Sequence, residues 1–418
     1  MGRNRQTTGK GNKDNKDKPR SDRGKPKKEE YNTEGGRKQS SVLKRSRESR
    51  ERIQQQSPAT RETTRTRTAQ ERTAGSVLSA TGTAAQRWFQ TIVRHGGIMN
   101  IRTKFVNELA TYCTPRATKK AFESEDNEIF NRYTDVVLHD HSRVVLKNGP
   151  QGIDYIHASH VKGAEYPMIC AQGPVDASID SFWMMVVEQD CGVIVQLCEN
   201  QEEGREKCAD YLPTEPAQFG DVIVRIKEPS HVTVANPSVR RTLLEASLSN
   251  GRSLEVIHLL YDGWPDRDVP LSPAASVNYA PPFTKLQQPV DVQCSFTVAL
   301  ELVSFSFFLD SFNVIIFTGR TGTFAAIEMA YRDLIANDRE VQMSTIFQRL
   351  RDQRALAIQT DLQYVFLHRA LIDLALEKGR LNRTDKANGV DQFIKEYEEL
   401  VQRKRKARRE LERRHRRK

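Results

Sequence analysis

The sequence predicts a domain that joins a β-sheet to a helical layer, of α/β or α+β class, and three observations predict it. Between about 130 and 300, short β-rich runs are separated by Gly, Pro, Asn and Asp turns. After Gly319 the pattern turns helical, as in "TGTFAAIEMAYRDLIAN" and "DLQYVFLHRALIDLALEK". Of 418 residues, 37% are hydrophobic and 28% charged, which suits one good-sized core with flanking segments rather than three ordinary domains.

Residues 1–82 are rich in Arg, Lys, Gly, Ser, Thr and Gln with almost no aromatics. They cannot bury enough apolar surface to offset the entropy of ordering, so a disordered basic tail is expected. Helical spacing starts in "RWFQTIVRHGGIMNIRTKFVNELATY", at Trp88, Ile92, Val93, Phe105 and Leu109. The runs "YTDVVL", "DYIHASHV", "CGVIVQL", "DVIVRI", "SLEVIHLLYDGW" and "PVDVQC" read as strands. "VQMSTIFQRLRDQ" joins the two helical runs quoted above, and the folded domain is placed at residues 83–388. Residues 389–418 carry "DQFIKEYEELVQRKRKARRELERRHRRK", a helix that becomes wholly basic.

The formal charge of +11 resides at the two ends. Residues 1–75 hold 22 Lys/Arg against 10 Asp/Glu, and residues 401–418 hold 11 against 2, which leaves residues 76–400 at minus 10. The tails are therefore the candidates for contact with nucleic acid, acidic lipid or acidic proteins. They lack interleaved aromatics and any recognisable module, so solvated disorder or a nuclear-import signal is the better reading of them. Six cysteines show no CxxC pair and no metal-ligand spacing, and no hydrophobic signal segment opens the chain. A reducing cytoplasmic or nuclear location is expected, without a transmembrane segment, because Glu301 and Asp310 interrupt the only long apolar run. A monomer is expected.

The chemistry-bearing feature is the strand "PVDVQC", which ends on Cys294, and a later glycine-rich turn into a helix, "GRTGTFAAIEMA". Strand, loop and helix N-terminus together make an anion cradle, because unpaired N–H groups and the helix dipole converge on one spot. A cysteine there would be held as thiolate and could attack phosphorus. An arginine at the helix start would add a bidentate fork for phosphate oxygens. From these residues alone, a buried strand cysteine and a surface arginine are equally open.

Further motifs separate the two readings. "NRYTDVVLHDHSRVVL", "DYIHASHV", "YPMICAQGPVDASIDSFWMMVVEQDCGVIVQL", "EGREKCADYLP", "HLLYDGWPDRDVP" and "RALAIQTDLQYVFLHRAL" stand, with the cysteine and arginine segments, in one order over roughly residues 85 to 385. In that order they resemble the protein-tyrosine phosphatase family, in its classical non-receptor form. The resemblance implies an α/β fold, a twisted mixed β-sheet flanked by helices, acting on phosphotyrosine-containing proteins with no metal and no organic cofactor.

The resemblance also implies roles. Cys294 aligns with the nucleophile that forms a cysteinyl-phosphate, Arg320 with the clamp on the equatorial oxygens, and Thr321 with the hydroxyl that steadies the departing thiolate. Asp266, in "WPD" with Trp264 and Pro265, aligns with the general acid, and Gln359 and Gln363 with the glutamines that orient water. Tyr133 aligns with the ring that walls a deep slot and Asp135 with the carboxylate that holds the substrate backbone. Arg132, Ser295 and Gly319 complete the expected substrate-binding set. Trp264 is a candidate loop anchor or plain core, and Glu202 a candidate partner of Arg320 or part of a solvated charged face. The chain departs from the family at Gln293, His157, Asp268 and Leu212, where His, Asn, Gly and Trp are usual, and none of these is a catalytic group.

The largest departure is an insert. The family places five residues between cysteine and arginine, and here residues 295–319 intervene. Closing a loop longer by ~20 residues costs only roughly 2.7 kcal/mol. Geometry is the obstacle, since successive N–H groups must all face one phosphate. Ala299 to Thr318 hold 13 apolar residues in 20, with five phenylalanines and no Lys or Arg. Removing them restores "CSFTVGRTGTF". Two origins stand open, a short retained intron and a real loop insertion. Two functions stand open as well: an active phosphatase, and an inactive phosphatase-like module that binds phosphotyrosine or scaffolds partners.

Overall fold

The computed structural model describes residues 82–233, 238–270, 314–317, 320–383 and 389–416. The chain divides into two compact units, Met1–Ala80 and Thr81–Lys418. The first, and with it nearly all of the expected disordered tail, lies outside the described residues, as do Cys294, Ser295 and Gly319.

The second unit alternates strands and helices. The strands are β1 (Arg143–Val145), β2 (Tyr155–Val161), β3 (Met168–Ala171), β4 (Val193–Gln196), β5 (Gln201–Glu202), β6 (Arg205–Glu206), β7 (Ala217–Phe219), β8 (Val222–Val232), β9 (Val239–Leu248), β10 (Ser253–Tyr261) and β11 (Val314–Phe317). The helices are α1 (Ala84–Arg94), α2 (Gly97–Lys104), α3 (Ile179–Glu188), α4 (Thr321–Tyr331), α5 (Met343–Gln353), α6 (Asp361–Glu377) and α7 (Val390–Arg416). Among the described residues they build a nine-stranded mixed sheet in the order β1-β2-β3-β11-β4-β10-β9-β8-β7, with β5 and β6 as a separate hairpin. β3, β11, β4 and β10 run parallel at the centre, and the flanking pairs are antiparallel.

Period-two side-chain placement sorts the central strands onto two cores. Met168, Cys170, Val193 and Val195 face α1, α2, α4, α5 and α6, whereas Ile169, Ala171 and Ile194 face α3, whose Phe182, Trp183, Met185 and Val186 are fully buried. Both faces are covered, so the central strands are mostly apolar, and the buried polar exceptions, Gln196 and His258, hydrogen-bond to each other.

The structure departs from the sequence-based expectations at four places. "YTDVVL" forms a loop, and β1, nine residues after Thr134, pairs with β2 at that end of the sheet. β9 gave no clear strand signal, since its charges pair across the ribbon, Arg241 with Glu228 (2.7 Å) and Glu245 with Arg225 (2.5 Å). α7 is no free tail: Val390, Phe393, Tyr397, Leu400 and Val401 recur at helical spacing and are buried in the main core.

The fourth concerns the insert. Its end, "VIIF", is β11, the strand at the middle of the sheet. Val314 to Phe317 pair residue by residue with Met168 to Ala171 on one edge and Val193 to Gln196 on the other. With both edges occupied, no second strand fits between β3 and β4.

Candidate active site

Open parallel sheets bind ligands beyond the carboxyl ends of their strands. Segments that follow β3, β4, β10 and β11 bring the expected site residues to that edge. Arg320 comes three residues after β11 and is the N-cap of α4, with its side chain buried. Its Nη2 donates to Glu202 Oε2 (2.5 Å) and its Nη1 to the Leu197 carbonyl (2.9 Å). The fork is thus fixed before any substrate arrives, and Glu202, one of the two alternatives above, is its partner. Thr321, next in the chain, is buried, and its hydroxyl has no hydrogen-bond partner among the described residues.

Asp266 lies in the segment after β10. Its Oδ2 pairs with Lys207 Nζ at 2.8 Å. Burial alone would raise this carboxyl, but the Lys207 hydrogen bond and charge, with Arg320 and Arg267, outweigh it and hold the group below the usual aspartate range. The segment is pinned from inside by Trp264, which is buried against Phe366 (5.4 Å between ring centroids) and donates from Nε1 to the Asp268 carbonyl (2.9 Å). Trp264 is therefore both core and loop anchor.

Tyr133 and Asp135 stand exposed on the loop before β1. Burial of part of the ring pushes the Tyr133 phenol up, with Lys207, Asp266 and Arg132 among the charges that act on it. Arg132 holds this loop in place: its guanidinium donates to the Gly173 carbonyl (2.9 Å) and Glu206 Oε1 (2.9 Å), and also to the Pro174 carbonyl. Its donors are spent on the protein, so it anchors the loop beside the site.

Gln359 and Gln363 open α6. Gln363 is buried, and its Oε1 accepts from the backbone N–H of Gln359 (2.8 Å) and Thr360 (3.2 Å) in a capping box with Thr360. Its amide oxygen is thereby committed to the helix start, while Gln359 is half-buried one residue before the cap. The turn before them is strained: Leu356 and Ile358 have φ of 55° and 57°, sparsely populated for such side chains. Arg351 holds it there, donating to the Ala357 (3.0 Å) and Ile358 (2.9 Å) carbonyls. The turn also packs on the first turn of α4. A Cβ on Gly322 would lie 2.7 Å from Ala357 Cα, so only glycine permits that approach.

Sequence reasoning did not single out Lys207, although it stands beside Cys208 in "EGREKCADYLP". The set can grip an anion at Arg320 and offers a carboxyl at Asp266. It has no nucleophile among the described residues, because Cys198, close enough to feel the Arg320 charge, is buried and its thiol is pushed up to about 12.

Comparison with known proteins follows this geometry. The family model described as Protein-tyrosine phosphatase matches residues 127–298 and 318–373, more than half of the chain, and leaves 299–317 unmatched between the two segments. The human receptor-type tyrosine-protein phosphatase C is 32% identical over 260 residues, 59% of this chain and 18% of its own length. The Caenorhabditis elegans tyrosine-protein phosphatase Lar-like is 32% identical over 285 residues, covering 66% of this chain and 12% of the relative. The chain thus spans under a third of the length of these curated relatives. A solved structure from work on the PTPN18 fingerprint on distinct HER2 tyrosine phosphorylation sites shares the fold, at TM-score 0.53 and 23% identity, over 69% of this chain and 98% of that one. Among the described residues no helix is long and apolar enough to cross a membrane. The chain belongs to the protein-tyrosine phosphatase family.

Proposed function

We propose that this domain hydrolyses phosphotyrosine in proteins, in a form that lacks residues 299–318. The observation that carries the reading is the pair of fixed groups at one sheet edge, Arg320 held by Glu202 and Asp266 held by Lys207. In the shortened chain five residues separate Cys294 from Arg320, with Ser295 and Gly319 among them, and their N–H groups can turn toward one phosphate. The Cys294 thiolate attacks phosphorus, the bond to the tyrosine oxygen breaks, and Asp266 gives that oxygen its proton. Water positioned by Gln359, with Gln363 fixing the turn, then attacks the cysteinyl-phosphate. Asp266 takes the proton back, and phosphate and thiolate separate. Arg320 clamps the equatorial oxygens throughout, Thr321 steadies the leaving thiolate, and Tyr133 and Asp135 hold the substrate's ring and backbone.

A second reading, favoured by β11, concerns the 418-residue chain. With "VIIF" paired on both edges, residues of the insert fill the slot between β3 and β4, next to the turn that carries Arg320. This form is then a phosphotyrosine-binding module without turnover. Phosphate release from a phosphotyrosine peptide tests both readings. The chain lacking Ala299 to Thr318 is expected to turn over, its Cys294→Ser variant to lose at least ~1,000-fold, and the 418-residue chain to be inert. An inert shortened chain would remove the enzymatic reading, and an active full chain the second one. Sequencing of the mature message distinguishes a retained intron from a genuine loop.

A further inference from the structure

The basic end of α7 is a feature that the site has not absorbed. Its buried stripe runs through Phe393, Tyr397, Leu400 and Val401, and the helical repeat carries that same face onward to Arg405 and Arg408. Both are half-buried, whereas Lys406 and Arg409, on other faces, are exposed. They reach the segment that carries Asp266. Arg405 donates from Nε to Asp268 Oδ2 (3.0 Å) and from Nη2 to the Val269 carbonyl (3.0 Å). Arg408 donates from Nη1 to the carbonyl of Asp266 itself (2.9 Å) and from Nη2 to Glu203 Oε1 (2.6 Å). Glu203 sits in the β5–β6 turn, beside Glu202, which holds Arg320, and four residues before Lys207, which holds Asp266.

We propose that Arg405 and Arg408 are positioning residues: through them α7 clamps the Asp266 segment to the β5–β6 turn and keeps the Asp266 carboxyl in place on Lys207. The inference rests on Asp266 being the general acid of the reaction proposed above. Arginine suits the task, because its planar fork meets a carboxylate and a backbone carbonyl at once where a lysine offers a single mobile charge. Trp264 fixes the segment from the core side, and α7 closes it from the solvent side. Since the ion pairs are partly exposed, salt is expected to loosen the clamp.

Hydrogen exchange on the full 418-residue chain reads the clamp without any turnover. In the R405A/R408A double variant the amides of residues 266–269 are expected to exchange ~10-fold or more faster. Residues 393–401 are expected to keep their protection, because the apolar stripe still docks the helix. Unchanged exchange at 266–269 overturns the proposal, and so does a loss of protection spread evenly over α7 and the sheet. Asp268→Asn is a second variant with α7 untouched: it keeps an oxygen for the Val269 N–H yet removes the charged acceptor of Arg405. It is expected to speed exchange in the same segment.

A second readout uses the form that hydrolyses. Phenyl phosphate has a poor leaving group that needs the acid, and nitrophenyl phosphate a good one that needs it far less. The double variant is expected to lose ~10-fold or more in kcat on the first and several times less on the second. Equal losses on both would assign the arginines a purely structural role and overturn the proposal. If no form of the chain turns over, the enzymatic reading falls, while the exchange experiment still decides the clamp.

Discussion

His157 stands where the family has asparagine, and its two ring nitrogens explain how the exchange is tolerated. Arg354 Nη1 donates to Nδ1 (3.2 Å), which must therefore be the bare nitrogen, and Nε2–H donates to the Val136 carbonyl (2.8 Å). An asparagine amide also offers one acceptor and one donor. Burial first, and then the Arg354 charge, push this imidazole down to about 3, so it stays neutral and holds the loop of Tyr133 and Asp135. Asp266 is the opposite case, a carboxyl kept ionised by Lys207. In the reaction proposed above, the departing tyrosine oxygen takes a proton from Asp266, and the ionised pair suits the later half, in which Asp266 takes that proton back. Lys207→Met removes the hydrogen bond and charge that favour the carboxylate, and its titration moves upward. An NMR titration of the Asp266 carboxyl in the full chain is expected to show that rise, and in the hydrolytic form the basic limb of the kcat profile moves the same way. A midpoint that stays in place would mean that Lys207 does not set this charge.

β11 shows which part of the site is legible in a sequence. The middle of this sheet is covered on both faces, and a strand there has no polar side to show. "VIIF" meets that demand, whereas "PVDVQC" would bring Asp291 and Gln293 with it. Burying an unpaired carboxylate is costly, so the insert is the better occupant of the slot even though the cysteine strand is the one matched to the family. Ile315, fully buried and paired with Ile169 and Ile194, tests the assignment. Ile315→Ala is expected to cost about 2–5 kcal/mol in urea unfolding of the full chain. A loss under ~1 kcal/mol is what a surface site would give and would remove β11 from the centre. The order of the segments, the Asp266 segment and the Arg320 turn could be read in the sequence, since each depends on local residue types. Three features could not: the displacement at the centre, the strand β9 with its cross-paired charges, and the docking of α7. Each follows from which surfaces are left for a segment to cover once the rest has packed.

For the molecule as a whole, buried titratable groups fix a pH of greatest stability. His157 and His258 are pushed down to about 3 and His368 to about 4, each chiefly by burial. Their ordinary value is 6.5, so below it the unfolded chain takes up protons that the folded chain refuses. Their contribution is complete above about 6.5 and is lost as pH falls. Glu328 runs the other way. It is fully buried, and burial outweighs the opposing hydrogen bond of Tyr166 and, with some help from Glu165, pushes it from 4.5 up to about 8. Its contribution is complete below about 4.5 and is lost as pH rises toward about 8. Between about 4.5 and 6.5 three protons oppose one, a net of two, and stability falls with acid by on the order of 2–3 kcal/mol per pH unit. Lowered values at His139 and His160 reinforce this limb. Above about 6.5 Glu328 leads, and stability falls by on the order of 1 kcal/mol per unit. Urea unfolding between about pH 5 and about pH 8 is therefore expected to give a maximum near 6.5. Glu328→Gln should flatten the alkaline limb and leave the acid limb intact. A stability that keeps rising through pH 8, or an alkaline limb indifferent to this substitution, would place the Glu328 carboxyl in water rather than in the core.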